Sequence, residues 1–263
     1  MQIHAMSTGT VRVKQSFLFA KTGWRRQVDL FLPGPWSKPL PIHCWAIEHD
    51  GRLLLVDTGE VATARNVPFA RFDVTPGQEL PGALAAAGLS IADVDTVVLT
   101  HLHGDHMDGA PALDRPVLVH DRELAFSRTF PARAAQRVFR QPVPSGVRFE
   151  PLALDGGAFG GFAASRPLTD DGRIVAVDAP GHTPGHIAVV CIDDEGRHVL
   201  LAGDATDTLE QLRARRPDAV GPKPAVSVAT IDAILAHGRE HPTIFLPSHD
   251  PDSVARLAAG ETL

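Results

Sequence analysis

The chain has 263 residues, 44% of them hydrophobic, enough to bury one large α/β core or two small ones. Its formal net charge of -6 argues against a nucleic-acid partner, which needs a basic face to displace counterions; the arginine pairs in "GWRRQ" and "RARRPD" are too few to change that. The N-terminus lacks a charged start followed by an apolar run, and no stretch approaches the roughly 18 apolar residues of a membrane span, so one soluble, cytoplasmic domain over 1–263 is expected.

Taken in chain order, residues 1–45 give no regular pattern and are expected to form an irregular segment over a pocket or an interface. "FLFAKTGW", "LFLPGPW" and "CWAI" hold all three tryptophans amid Gly and Pro. Phe17, Phe19, Trp24, Phe31 and Trp36 would there make an apolar wall for a substrate, or pack on the sheet or across a homodimer interface. Short β-rich runs follow at 52–59, 95–101, 116–120, 173–182, 186–192, 198–204 and 243–249. Continuous apolar runs of this length suit strands buried on both faces. Helical spacing marks 77–88, 121–140 with a break at Pro131, 227–240 and 251–260, while the glycine-rich 154–168 reads as a loop. Strands alternating with helices predict an α/β layered fold. Cys44 and Cys191 each sit in an apolar strand-like run and are expected to be buried free thiols.

Polar residues gather where these strands end. Asp57 closes "LLLVD", His101 follows "VVLT", His182 follows "VAVDAPG", Asp204 closes "VLLAGD" and His249 closes "IFLPSH". In α/β sheets, sites are built at that edge. "HLHGDH" adds His103, Asp105 and His106, and residues two apart converge on one point in a loop but diverge on a helix. His101, His103 and His182 could hold one ion and Asp105, His106 and His249 another, with Asp204 bridging. Imidazole and carboxylate donors suit Zn²⁺, with Mn²⁺, Fe and Co²⁺ as substitutes. His43, His49, His120, His198, His237 and His241 read as ordinary core or surface histidines.

"LVDTG" (55–59), "THLHGDH" (100–106), "PGHTPGH" (180–186), "LAGD" (201–204) and "PSHD" (247–250), in this order, resemble the metallo-β-lactamase superfamily of metallohydrolases. The resemblance implies an αβ/βα four-layer sandwich, two mixed sheets with helices outside, and the same seven ligands for two ions per chain. "LPIHCWAIEHDGRLLLVDTGE" (40–60) is similar to the lead-in of the quorum-quenching N-acyl-homoserine lactonases. Those enzymes place a tyrosine three residues after the bridging aspartate, thought to assist the substrate's carbonyl or ring oxygen. Here Asp207 occupies the position, in a chain with no tyrosine. An ionised carboxylate has no hydrogen to offer an oxyanion.

The resulting expectation is a dinuclear hydrolase in which a metal-bridging hydroxide attacks the carbonyl of a lactone or related ester. Asp105 is a ligand that could also pass a proton to the leaving group, and Asp207 is the other catalytic candidate. Asp57 and His186 would orient ligating imidazoles, Asp57 being equally readable as a turn residue, and Thr183 and Pro184 would shape the turn presenting His182. A thioesterase of the glyoxalase II type shares "HxHxDH" but needs a basic pocket that the sequence does not reveal. A β-lactamase is disfavoured by Asp204 in the place of a cysteine, and a tRNA-processing phosphodiesterase by the acidic balance. A mononuclear-iron persulfide dioxygenase and a noncatalytic metal-binding module are the alternatives outside hydrolysis.

Overall fold

The structure is a computed structural model that describes residues 1–19, 23, 25–64, 66–139 and 141–263. In chain order these form β1 (Gln2–Val13), α1 (Gln15–Leu18), α2 (Arg25–Val28), β2 (Leu40–His49), β3 (Arg52–Val56), β4 (Ala70–Asp73), α3 (Leu80–Ala86), β5 (Val94–Leu99), α4 (Gly104–Met107) and β6 (Val117–His120). The chain continues through α5 (Asp121–Ser127), α6 (Phe130–Phe139), β7 (Phe149–Leu152), β8 (Ser165–Pro167), β9 (Ile174–Asp178), β10 (Ile187–Ile192), β11 (His198–Gly203), α7 (Leu209–Arg213), α8 (Pro224–Glu240), β12 (Thr243–Pro247) and α9 (Ser253–Ala259). Contacts divide the chain into two compact units, 1–12 with 38–152 and 13–37 with 153–263.

The first unit is built on a seven-stranded mixed sheet in the order β4-β1-β2-β3-β5-β6-β7. β1, β2 and β3 pair antiparallel, whereas β3, β5, β6 and β7 run parallel. "RLLLV" and "TVVL" lack alternation because β3 and β5 are interior strands whose consecutive residues are buried, so both faces are covered. One face carries a core in which Leu53, Leu55, Val97 and Leu99 meet Leu80 and Leu84 of α3, Met107 of α4 and Leu124 of α5. The expected break at Pro131 falls between α5 and α6, with the proline in the first turn of α6, where its missing N–H has no partner to lose.

The second unit has a five-stranded sheet in the order β12-β11-β10-β9-β8, antiparallel except for the β11–β12 pair. Its core packs Val175, Val177, Ala188, Val190, Leu200 and Phe245 against Leu209 and Leu212 of α7 and Ile231 and Ile234 of α8. The two mixed sheets with their helices agree with the fold class read from sequence. Cys44 and Cys191 are buried and free as expected, burial pushing the Cys191 thiol up to about 12. No helix among the described residues is long and apolar enough to cross a membrane.

The structure corrects the reading of 1–45 as irregular. β1 is a twelve-residue strand, paired from Gln2–Glu48 to Val11–Leu40 with a register shift between Ser7 and Thr10. Its polar residues and Gly9, at φ 113°, break the apolar alternation that would have revealed it. The loop read at 154–168 likewise contains β8 at its end.

Candidate metal centre

In the first unit the donors rise from the carboxyl end of β5. His101 and His103 follow the strand, their Nε2 and Nδ1 atoms 3.0 Å apart. Two nitrogens on one tetrahedral ion, with bonds of about 2.0–2.1 Å, lie about 3.3 Å apart. His103 precedes α4, a single turn that carries Asp105 and His106. The His106 ring stands 4.2 Å from that of His101, and its Nε2 lies 4.0 Å from Asp105 Oδ1.

Asp57 holds this group in place. It is buried at φ 64°, a left-handed conformation that aspartate tolerates better than most residues. Its carboxylate accepts from the Thr100 N–H at 2.7 Å and from the Thr100 hydroxyl at 2.9 Å, and takes the His106 Nδ1–H at 2.8 Å. That bond places the His106 proton on Nδ1 and leaves Nε2 as the nitrogen able to ligate. Both roles read for Asp57, turn residue and imidazole orienter, therefore hold together. The Thr58 hydroxyl donates to the His106 carbonyl at 2.9 Å, and a Cβ on Gly109 would sit 2.1 Å from the Thr58 carbonyl oxygen, so glycine is required there.

The second unit presents His182, Asp204, Asp207 and His249. Gly181, whose N–H donates to the Thr183 carbonyl at 3.0 Å, closes the turn that presents His182. Asp204 follows β11 and divides its carboxylate: Oδ2 lies 3.3 Å from His182 Nε2, and Oδ1 lies 3.4 Å from His249 Nε2. His186 orients this aspartate rather than an imidazole. Its Nδ1 faces the Ala179 carbonyl at 3.0 Å, and its Nε2 accepts the Asp204 N–H at 3.0 Å. Asp250 of "PSHD" ties α7 to α9, accepting from the Leu209 N–H at 3.0 Å and pairing with Arg256 at 3.1 Å.

Asp218 went unread in the sequence. Its Oδ2 lies 2.5 Å from His182 Nδ1, and its Oδ1 accepts from the N–H groups of Val220 and Gly221 at 2.7 and 2.9 Å. It does for His182 what Asp57 does for His106. Burial disfavours the His182 charge, but the combined attraction of Asp218, Asp204 and Asp207 overrides it and raises the imidazole to about 9. Asp207 is 3% exposed, its Oδ2 has no hydrogen-bond partner, and burial followed by the repulsion of Asp204 and Asp218 raises it to about 7.

Glu60 and Asp108, also unread, form a second acidic group in the first unit. Burial, with Asp105 and Asp108 beside it, lifts Glu60 to about 9, and burial lifts Asp108 to about 6, so the hydrogen-bonded pair holds a proton near neutrality. They line a cavity of about 1170 Å³ whose wall includes Arg128, Phe130, Arg133, Arg137 and Val138 of α6 and its approach. Phe130 and Val138 are 86% and 74% exposed. Phe17, Phe19, Phe31 and Trp36 do not line this cavity, and Trp24 lies outside the described residues. Three arginines, Arg128, Arg133 and Arg137, line this cavity together with the acidic Glu60 and Asp108.

Each unit thus carries buried imidazoles whose rear nitrogens are engaged and whose front nitrogens face carboxylate or imidazole donors. That donor chemistry fits divalent metal ions. A family model for the metallo-beta-lactamase superfamily matches residues 37–249. The chain belongs to that superfamily. It is 32% identical over 174 residues to the probable metallo-hydrolase Rv2300c of Mycobacterium tuberculosis, a match spanning 62% of this chain and only 56% of that protein. It is 23% identical over 232 residues to the N-acyl homoserine lactonase AttM of Rhizobium radiobacter, covering 83% and 85% of the two chains. Among solved structures, an N-acyl homoserine lactone hydrolase with its product N-hexanoyl-L-homoserine at the catalytic metal centre superposes with a TM-score of 0.77. That match covers 96% of this chain and 94% of the other at 19% identity, a likeness of fold.

Proposed function

We propose that this protein is a metal-dependent hydrolase that uses two divalent ions, zinc first among them, to open a lactone or related ester, an N-acyl-homoserine lactone being the leading candidate. The observation that carries the reading is Asp204, whose two carboxylate oxygens face two different imidazoles, as a bridging ligand requires. His101, His103 and His182 are assigned to the first ion, Asp105, His106 and His249 to the second, and Asp204 to both. Held at such donors, divalent ions would supply Lewis acidity, lowering the pKa of a bound water to about 7 and polarising an ester carbonyl.

The protein's own residues supply orientation and proton handling. Asp57 and Asp218 keep the His106 and His182 rings turned with Nε2 forward. Asp105 accepts a hydrogen bond from the attacking water and passes the proton to the departing alkoxide. Asp207, protonated, donates from its unpartnered Oδ2 to the substrate oxygen that the lactonase tyrosine would serve. The apolar side chains on the cavity wall suit an acyl chain.

A second reading has its own support. Arg128, Arg133 and Arg137 around the same cavity suit an anionic thiol leaving group, which favours a thioester hydrolase of the glyoxalase II type. Elemental analysis of the purified protein, paired with hydrolysis of lactones, aryl esters, thioesters and phosphodiesters, separates the two. Lactone turnover with at least two ions per chain, the turnover and two of those ions being lost in Asp204→Ala with the circular dichroism spectrum kept, is the expected result. Preferential thioester turnover moves the assignment to the second reading, and full activity in Asp204→Ala defeats both.

A further inference from the structure

Away from these donors, the second unit gathers three histidines that look unremarkable one at a time. His237 lies in the last turn of α8 and His241 caps that helix. Two histidines four apart on a helix share a face and form a chelating pair. His198, the first residue of β11, completes the group. The His198 and His241 rings stack 4.3 Å apart at 8°, the His237 ring stands 4.9 Å from each, and one nitrogen from each of the three lies within 4.8 Å of the others.

The surroundings are built around these rings. Phe159 stacks near His198 and His237 at 5.9 Å, and Phe162 lies 5.2 Å from His237. Both phenylalanines come from the glycine-rich segment, and "GG" is what lets that segment close on α8. A Cβ on Gly160 would sit 2.1 Å from His237 Nδ1, and one on Gly161 would sit 2.3 Å from the Ala233 carbonyl oxygen. His237 and His198 are buried, while His241 is partly exposed.

We infer that His198, His237 and His241 form a transition-metal site separate from the hydrolytic centre, taking an imidazole-seeking divalent ion such as Zn²⁺, Ni²⁺ or Cu²⁺. His198 opens β11 and Asp204 follows its end, so the two places stand about 20 Å apart at roughly 3.3 Å per strand residue. His237 Nε2 and His198 Nδ1 lie 2.8 Å apart around one shared proton. An ion replaces that proton after the nitrogens separate by about half an ångström. Three neutral imidazoles leave a fourth position on the His241 side for water, the coordination of an open tri-histidine site. Asp193 contributes the nearby negative charge that acts on His198.

The test compares bound metal in the wild type, His241→Ala and His198→Gln, each equilibrated with excess ZnCl₂ and freed of unbound ion. Each variant is expected to hold one zinc per chain fewer than the wild type while hydrolysing the same substrates at the same rate. Equal zinc in all three proteins overturns the inference. A variant that fails to fold is replaced by His241→Gln, at the partly exposed position of the three, where a zinc count one lower than the wild type supports the site and an unchanged count refutes it. A zinc count that falls in His241→Ala, in a protein with no hydrolytic activity, defeats the proposed function and leaves this site standing.

Discussion

Asp207 is the residue at which this chain departs most from the lactonases it resembles. A phenol is always a donor at neutral pH, whereas a carboxyl group donates only while protonated. Its burial beside Asp204 and Asp218 favours the protonated form, up to about 7, and a neighbouring cation would oppose that. Asp207→Asn preserves a donor that no longer depends on pH, whereas Asp207→Ala removes it. The expected result is kcat within about tenfold of wild type for the asparagine variant, with the fall in rate above neutral pH abolished, and a loss of about 10²–10³ for the alanine variant. Equal rates in all three proteins would remove Asp207 from the mechanism. The sequence displayed this position because a motif fixes its distance from Asp204. It did not display Asp218, which reaches His182 from a loop fourteen residues past Asp204 and whose neighbours "RRPDAVG" look like an ordinary turn.

At the level of elements, the runs at 52–59, 95–101, 186–192 and 198–204 were legible because strands whose two faces are both covered read as continuous apolar runs. β1 was hidden because its hydrophobic positions are interrupted by Ser7, Thr8 and Gly9, and pairing with β2 rather than intrinsic pattern makes it a strand. The glycine-rich segment was legible as irregular but not as purposeful, since the contact that demands its glycines comes from α8. Gly160, at φ 50°, is therefore a sensitive position. Gly160→Ala forces a Cβ against the His237 ring and is expected to cost about 1–3 kcal/mol, read as a lower urea midpoint with an unchanged slope. An unchanged midpoint would mean that this segment does not press on α8 in solution.

At the scale of the whole molecule, the acidic groups set how stability responds to pH when metal is withheld. Glu60 rises from 4.5 to about 9 and His182 from 6.5 to about 9 on folding, so each binds more protons in the folded state. A group with a raised folded pKa stabilises fully below its unfolded value, and that stabilisation is lost as pH climbs to the folded value. Between pH 6.5 and 9 both act in the same direction, and Asp207 adds to them up to about 7. His237, lowered from 6.5 to about 4, has the opposite sign but exerts it only below pH 6.5. Chelated protein is therefore expected to lose on the order of a few kcal/mol between pH 6.5 and 9, read as a falling Tm by calorimetry. Zinc reverses the trend, because ligation needs His182 deprotonated and the competing protons thin out as pH rises. The gain in Tm on adding zinc should accordingly be larger at pH 8.5 than at pH 6.5. A gain independent of pH would show that His182 gives up no proton when the metal binds, and would remove it from the ligand set.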